Sequence, residues 1–303
     1  MNEEERYSIQ TEKIKLTLIY AAFGTIGIVT HFIRLSSPGI VFYRAILGSL
    51  FIIVAALLSG RTIDIQSMKN NFPVLVATGF FMGLNWVLQF EAFRVSSVAI
   101  GTVCYNTMPI FLIIFASIFF KEKITLKTLC CIIVAIIGVV LVSNIMSLGF
   151  NSNIALGCFY GLLGAIFYAL ILIYNRKLDN IKMHDKIIFQ FSFSALLMAI
   201  YILIIDKNAF WFDKNITNND LIISVICILL LGLFHTGFCY IHYFNAVKRL
   251  KAETVAILTF IDPVVALFLS FFLLKESMTP LQLLGSILIL SAALANELLK
   301  TKK

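Results

Sequence analysis

Charge is what this sequence has least of. Only 13% of its 303 residues are Asp, Glu, Lys or Arg, about half the ~25% of an ordinary soluble domain. With 60% hydrophobic residues and a mean hydropathy of +0.96, that scarcity excludes a soluble enzyme, a nucleic-acid binder and a disordered scaffold. The chain also has no Gly-Lys dipeptide, so it holds no phosphate-cradling loop and does not power itself with ATP. It has neither H-E-x-x-H nor G-x-S-x-G, and nothing reads as a nucleophile–base constellation; no enzyme and no cofactor are expected. The six cysteines (Cys104, Cys130, Cys131, Cys158, Cys227 and Cys239) fall in apolar stretches without a C-x-x-C pair. They read as small buried hydrophobes, not a disulfide framework.

What is present is apolar sequence long enough to cross a bilayer many times. At ~20 residues per crossing, ten spans are expected, at 14–33, 38–58, 72–92, 96–119, 128–146, 155–174, 187–205, 221–244, 254–274 and 281–299. No small-residue cleavage site follows the first apolar run, which is therefore expected to be a span and not a removable signal peptide. The segment 206–220 mixes Asp206, Lys207, Asp213, Lys214 and Asp220 with Phe210, Trp211 and Phe212, a composition suited to the membrane surface. With a cytoplasmic N-terminus, 18 Lys and Arg fall on the inner side, 5 on the outer side, and Arg44 alone lies well inside a span. That bias supports the even span number and the orientation. It also assigns the net charge of +8 to solvated loops, with no nucleic-acid partner.

The chain repeats itself. Tyr105-Asn106-Thr107-Met108-Pro109 with Lys121-Glu122 matches Thr259-Phe260-Ile261-Asp262-Pro263 with Lys275-Glu276 at an offset of 154. The same offset aligns Phe90-Glu91-Ala92 with Phe244-Asn245-Ala246, and an offset of 140 aligns Tyr20 and Gly24 with Tyr160 and Gly164. Two units are expected, 1–148 (spans one to five) and 149–303 (spans six to ten). Because five is odd, the second lies upside down. Inverted repeats mark secondary transporters, with the substrate near the midplane between the copies. The fold class is thus an all-α polytopic membrane protein of ten helices in two inverted five-helix repeats.

The paired blocks Pro109…Lys121-Glu122 and Asp262-Pro263…Lys275-Glu276 resemble the two EamA domains of the drug/metabolite transporter superfamily. Arg44, in Phe42-Tyr43-Arg44-Ala45, is similar to an arginine common in the family's second helix. The resemblance spans about 14–299. It implies a ten-helix bacterial inner-membrane carrier with a central cavity and both termini cytoplasmic. Span one has no carboxylate, only His31, unlike the small multidrug-resistance relatives with their first-helix glutamate. Arg44 stands nearly alone, which argues against the phosphorylated substrates of relatives with several basic cavity residues.

Polar groups inside spans are costly and are functional candidates by default. Asp262 lies ~12 Å into span nine by its rise, and Pro263 removes a backbone donor beside it. It is expected to line the cavity and to bind a cation, an ammonium group or a proton. Pro109 is the counterpart kink, beside Tyr105 and Asn106. In span three, Thr78, Met82, Asn85 and Gln89 share a face with Trp86 adjoining; cavity lining and helix–helix hydrogen bonding stand level as readings of it. Gly79 and Gly83, and Gly157 and Gly161, suit close helix packing. His31, Arg44 and Glu91 fall in the outer third and are candidates for a charged outer gate, against a simpler interfacial role for Glu91. His235, Cys239 and His242 recur at i, i+4 and i+7, but a hydrogen-bonding or relay histidine is preferred to a metal site. Thr236 and Tyr240 are further polar candidates in that span.

The expected function is export of a small polar metabolite, such as an amino acid or related amine, by alternating access. An exporter of lipophilic cationic drugs is the alternative; an intramembrane enzyme is remote. The expected partners are the small-molecule substrate and the lipid bilayer. Protons and a second copy of the chain, as a homodimer, stay open.

Overall fold

The computed structural model describes residues 3–121, 125–143, 152–178, 180–212, 216–247, 249–250, 254–255 and 258–301. Among them the chain is helical throughout, with no strand. Eight helical segments are long and apolar enough to cross a membrane, and two shorter apolar helices, Ile261–Leu273 and Pro280–Ala295, complete the expected set. The protein is a polytopic all-α membrane protein.

Span one is α1 (Glu3–Gly24) and α2 (Ile26–His31), separated at Thr25. Span two is α3 (Ser37–Leu58), started by Pro38. A short α4 (Ile65–Asn70) precedes α5 (Phe72–Val95), which is span three. Span four is split into α6 (Val98–Tyr105) and α7 (Met108–Phe120), and α8 (Leu126–Ser143) is span five. The second half follows with α9 (Asn153–Asn175), α10 (Met183–Ile204), α11 (Asn218–Leu229), a π-helical segment at Leu230–Phe238, α12 (Cys239–Val247), α13 (Ile261–Leu273) and α14 (Pro280–Thr301). The expected division at 148/149 and Glu122 both lie outside the described residues.

The two prolines act at helix starts. Pro109 occupies the first turn of α7 and Pro263 that of α13, positions where a missing N–H costs nothing. The preceding residues, Asn106-Thr107 and Thr259-Phe260, form turns, so both helices are interrupted at the repeated block. The same block ends alike in both copies. Lys121 and Lys275 each adopt φ 56°, and they are the only non-glycine residues with positive φ among those described. At Lys275 the turn is closed by the Leu274 and Glu276 N–H groups, both donating to the Ser270 carbonyl at 3.2 Å.

Helix contacts also repeat. The most extensive pair α5 with α9, α8 with α14 and α3 with α10. Exchanging the first five spans for the second maps α1 on α13 onto α9 against α6 and α7, and the π segment on α3 onto α5 against α10. Small residues permit the close approaches. Ser194 donates to the Gly79 carbonyl at 2.8 Å where α10 crosses α5, and Gly161 of α9 faces Cys104 and the Gly101 carbonyl of α6. The main core cluster (Ile52, Trp86, Phe191 and Leu231 among others) fills the space between α3, α5, α10 and the π segment. Part of the 206–220 segment lies against it: Phe212 packs on that core, Phe210 meets Phe42 at 5.0 Å, and the Tyr43 hydroxyl donates to the Phe210 carbonyl at 2.9 Å, while Asp213 and Lys214 lie outside the described residues.

Candidate functional site

Arg44 is the most demanding residue in the fold. It is 2% exposed. Its Nε donates to Thr236 Oγ1 at 2.8 Å. Its guanidinium carbon sits 4.1 Å from the Trp86 ring centroid and 5.6 Å from that of Phe90. Its Nη1 is buried with no hydrogen-bond partner among the described residues. A charge inside a span costs ~2.5–3.5 kcal/mol on insertion scales, and stacking on a desolvated tryptophan returns ~2 kcal/mol. The site therefore holds a cation that is oriented but not neutralised.

The structure does not bring His31, Arg44 and Glu91 together. Glu91 accepts from Arg94 at 3.0 Å, one turn along its own helix, and His31 is exposed beside Phe32. Arg44 meets neither. The reason is helical geometry: Trp86 and Glu91 are five residues apart on α5, about 140° around its axis, so the face that receives Arg44 cannot also present Glu91.

The π segment supplies the other wall. An extra residue per turn lets side chains reach carbonyls five residues back. His235 Nδ1 pairs with the Leu230 carbonyl at 3.1 Å, and the Thr236 hydroxyl donates to that of Leu231 at 2.7 Å. His235, 1% exposed, turns its Nε2 to Thr25 Oγ1 at 2.8 Å, at the break between α1 and α2. His242 instead packs at a tilt against Phe238 at 4.3 Å. No group of three His, Cys, Asp or Glu is placed to hold a metal among the described residues.

Asp262 is the second charged candidate. It is half-buried, in the first turn of α13, where the helix dipole favours a negative charge. Its carboxylate makes no hydrogen bond or ion pair among the described residues. Gly24 is required here: a Cβ on it would lie 2.6 Å from the Asp262 carbonyl oxygen. Tyr20, Tyr105 and Tyr240 lie within electrostatic reach of Asp262. Tyr105 and Tyr240 are within electrostatic reach of Arg44 as well. Tyr105 stacks on Tyr168 at 5.8 Å, and Tyr240 packs edge-on against Phe191 at 5.3 Å.

The remaining candidates divide. Asn85 binds helices together: its Nδ2 donates to the Gly164 carbonyl at 2.7 Å and lies 3.1 Å from the Tyr105 hydroxyl. Thr78 donates to Leu75 of its own helix at 3.0 Å. Gln89 is half-buried with no hydrogen-bond partner among the described residues. Asn106 folds back on the Thr102 carbonyl at 2.9 Å. The sequence reading missed Thr25, Phe90 and Tyr168 as site neighbours. Only Gly24, through its repeat match to Gly164, pointed near the first of them.

A cleft of about 420 Å³ is lined by Thr30, His31, Arg34, Phe90, Arg94 and Glu276, among others. Glu276 is fixed there. Its two carboxylate oxygens accept from the Val98 and Ala99 N–H groups at 3.1 Å each, at the start of α6, and one also accepts from the Ser270 hydroxyl. Phe90 belongs to both the cleft and the Arg44 cradle.

Comparison with known proteins agrees with this architecture. An uncharacterized transporter, YxxF, of Bacillus subtilis (strain 168) is 28% identical over 260 residues, covering 86% of this chain and 80% of that protein. The pseudopaline exporter CntI of Pseudomonas aeruginosa is 25% identical over 270 residues, covering 89% of this chain and 88% of its own. A solved crystal structure shares the fold at a TM-score of 0.65 and 14% identity, over 97% of this chain and 98% of that one. Residues 13–144 and again 155–296 match the EamA-like transporter family, and the chain belongs to that family.

Proposed function

We propose that the protein is a secondary transporter that carries a small polar metabolite, an amino acid or related amine, out across the bacterial plasma membrane. The two five-span units lie upside down relative to one another, both termini are cytoplasmic, and transport proceeds by alternating access. The observation that carries this reading is Asp262: a carboxylate without a partner among the described residues, at the start of a broken helix, within electrostatic reach of Tyr20 and Tyr105 of the first half and Tyr240 of the second. An ammonium group is the complementary ligand. Export is supported by the relative named as an exporter, and Arg44, within reach of the same Tyr105 and Tyr240, disfavours a purely cationic drug.

The test is counterflow in proteoliposomes. Lysine, leucine, glutamate and putrescine serve as metabolite probes, and tetraphenylphosphonium as the lipophilic cation. At least one metabolite probe exchanges with wild-type protein, and Asp262→Asn lowers that exchange at least tenfold. Exchange of tetraphenylphosphonium alone, or full metabolite exchange by Asp262→Asn, contradicts the reading. Protons are proposed to couple through the same carboxylate; transport that keeps its full pH dependence in Asp262→Asn would exclude that route.

A further inference from the structure

The transport reading uses Arg44 only to disfavour a cationic drug and gives its charge no ligand. Arg44 is 98% buried by the 2% exposure of the residue, it carries an unpartnered Nη1, and no carboxylate pairs with it among the described residues. Three contacts fix its plane without neutralising it. Thr236 holds Nε, and that threonine is itself committed to the Leu231 carbonyl. Trp86 and Phe90 offer only their ring faces. A planar guanidinium held by one edge and one face leaves its remaining N–H donors for a planar oxyanion, the geometry that a carboxylate fits.

We infer that the Arg44 guanidinium is the carboxylate-binding half of the substrate site, so that the cargo is an aminocarboxylate held with its acid on Arg44 and its ammonium toward Asp262. This rests on the transport reading and narrows it: a simple amine fills only half of the site. Tyr105 and Tyr240 interact electrostatically with both charged groups, and the Tyr105 hydroxyl is itself held by Asn85. A second observation points the same way. The Phe90 ring centroid lies 5.6 Å from the Arg44 guanidinium carbon, and Phe90 also lines the 420 Å³ cleft, whose lining includes Arg34, Arg94 and His31. Arg94 is paired with Glu91, and Glu276 is fully engaged with the start of α6. Among the described residues Arg34 is therefore the cleft arginine without an ion pair, the one left to meet a departing acid once the Phe90 ring swings aside.

Trp86 is a built-in reporter. The chain has two tryptophans, and the other, Trp211, is 74% exposed, so Trp211→Phe leaves emission from the ring beneath Arg44 alone. In that background, purified protein is titrated with the twenty common L-amino acids, β-alanine and 4-aminobutyrate. Each responder is then compared with its decarboxylated amine and its methyl ester. The inference predicts that at least one acid shifts Trp86 emission, and that its amine and ester bind at least tenfold more weakly. Arg44→Met erases that preference. Arg44→Lys keeps it at about tenfold lower affinity, because the charge stays and the planar fork is lost. Silence from every acid overturns the inference, as does equal binding of acid, amine and ester. If amines bind and exchange in an Asp262-dependent way with no preference for the acid, the transport reading stands and the carboxylate site falls. Loss of folding in Arg44→Met is covered by Arg44→Lys, for which unchanged acid affinity overturns the proposal.

Discussion

Asn85 and Trp86 are adjacent in α5 yet face different partners, and that difference decides what each contributes. Asn85 is spent on the Gly164 carbonyl and the Tyr105 hydroxyl; Trp86 carries the Arg44 guanidinium. Polar contacts between helices in a membrane average ~0.6 kcal/mol each and reach ~1.7. Asn85→Leu should therefore cost about 1 kcal/mol, lower the thermal midpoint by about 2–4 °C, and leave counterflow of the responding acid within about threefold. Trp86→Ala removes the face on which the cation rests, a contact worth up to ~2 kcal/mol, and should cut that counterflow about tenfold. Equal effects of the two substitutions on counterflow would merge roles that the geometry separates. Their chemistry was visible in the sequence; their assignment was not. A stripe of Thr78, Asn85 and Gln89 says that a face avoids lipid, but whether it meets a cavity or a carbonyl depends on a glycine 79 residues away.

At the scale of elements, the interrupted helices were legible and the π segment was not. Pro109 and Pro263 mark their breaks directly, because each proline settles in a first turn. The π segment at Leu230–Phe238 has no such marker. Its wide turns are held by His235 meeting Thr25 and Thr236 meeting Arg44, partners some 190 to 210 residues distant. The repeated Lys-Glu pair was read as a family signature; the structure gives its second copy a mechanical role. Glu276 reaches across to the first repeat and receives two N–H groups at the start of α6, where a carboxylate offsets both the open donors and the helix dipole. Glu276→Gln keeps the shape and removes the charge. It should cost about 1 kcal/mol, in line with cap and dipole contributions, lowering the thermal midpoint by about 2–4 °C. An unchanged midpoint in a melting experiment would mean that the contact does not hold the two halves together.

For the whole molecule, ten apolar stretches and a charge bias of 18 to 5 made a multi-spanning protein evident before any coordinates. The offset of 154 made its internal repetition evident as well, and both Lys121 and Lys275 return the same left-handed turn. The candidate site was only partly legible: depth within a span singled out Asp262 and Arg44, but sequence distance hides which face of α5 Arg44 meets. The central claim is that two oppositely oriented copies exchange conformations around that site. It is tested most directly by impermeant maleimide labelling of Lys121→Cys and Lys275→Cys, each in a cysteine-free background. Both positions are exposed and structurally equivalent. The account predicts that intact cells label the cysteine at 275 and spare the one at 121, which reacts only after the membrane is opened. Labelling of both from the same side would contradict the inverted arrangement and the alternating-access mechanism built on it.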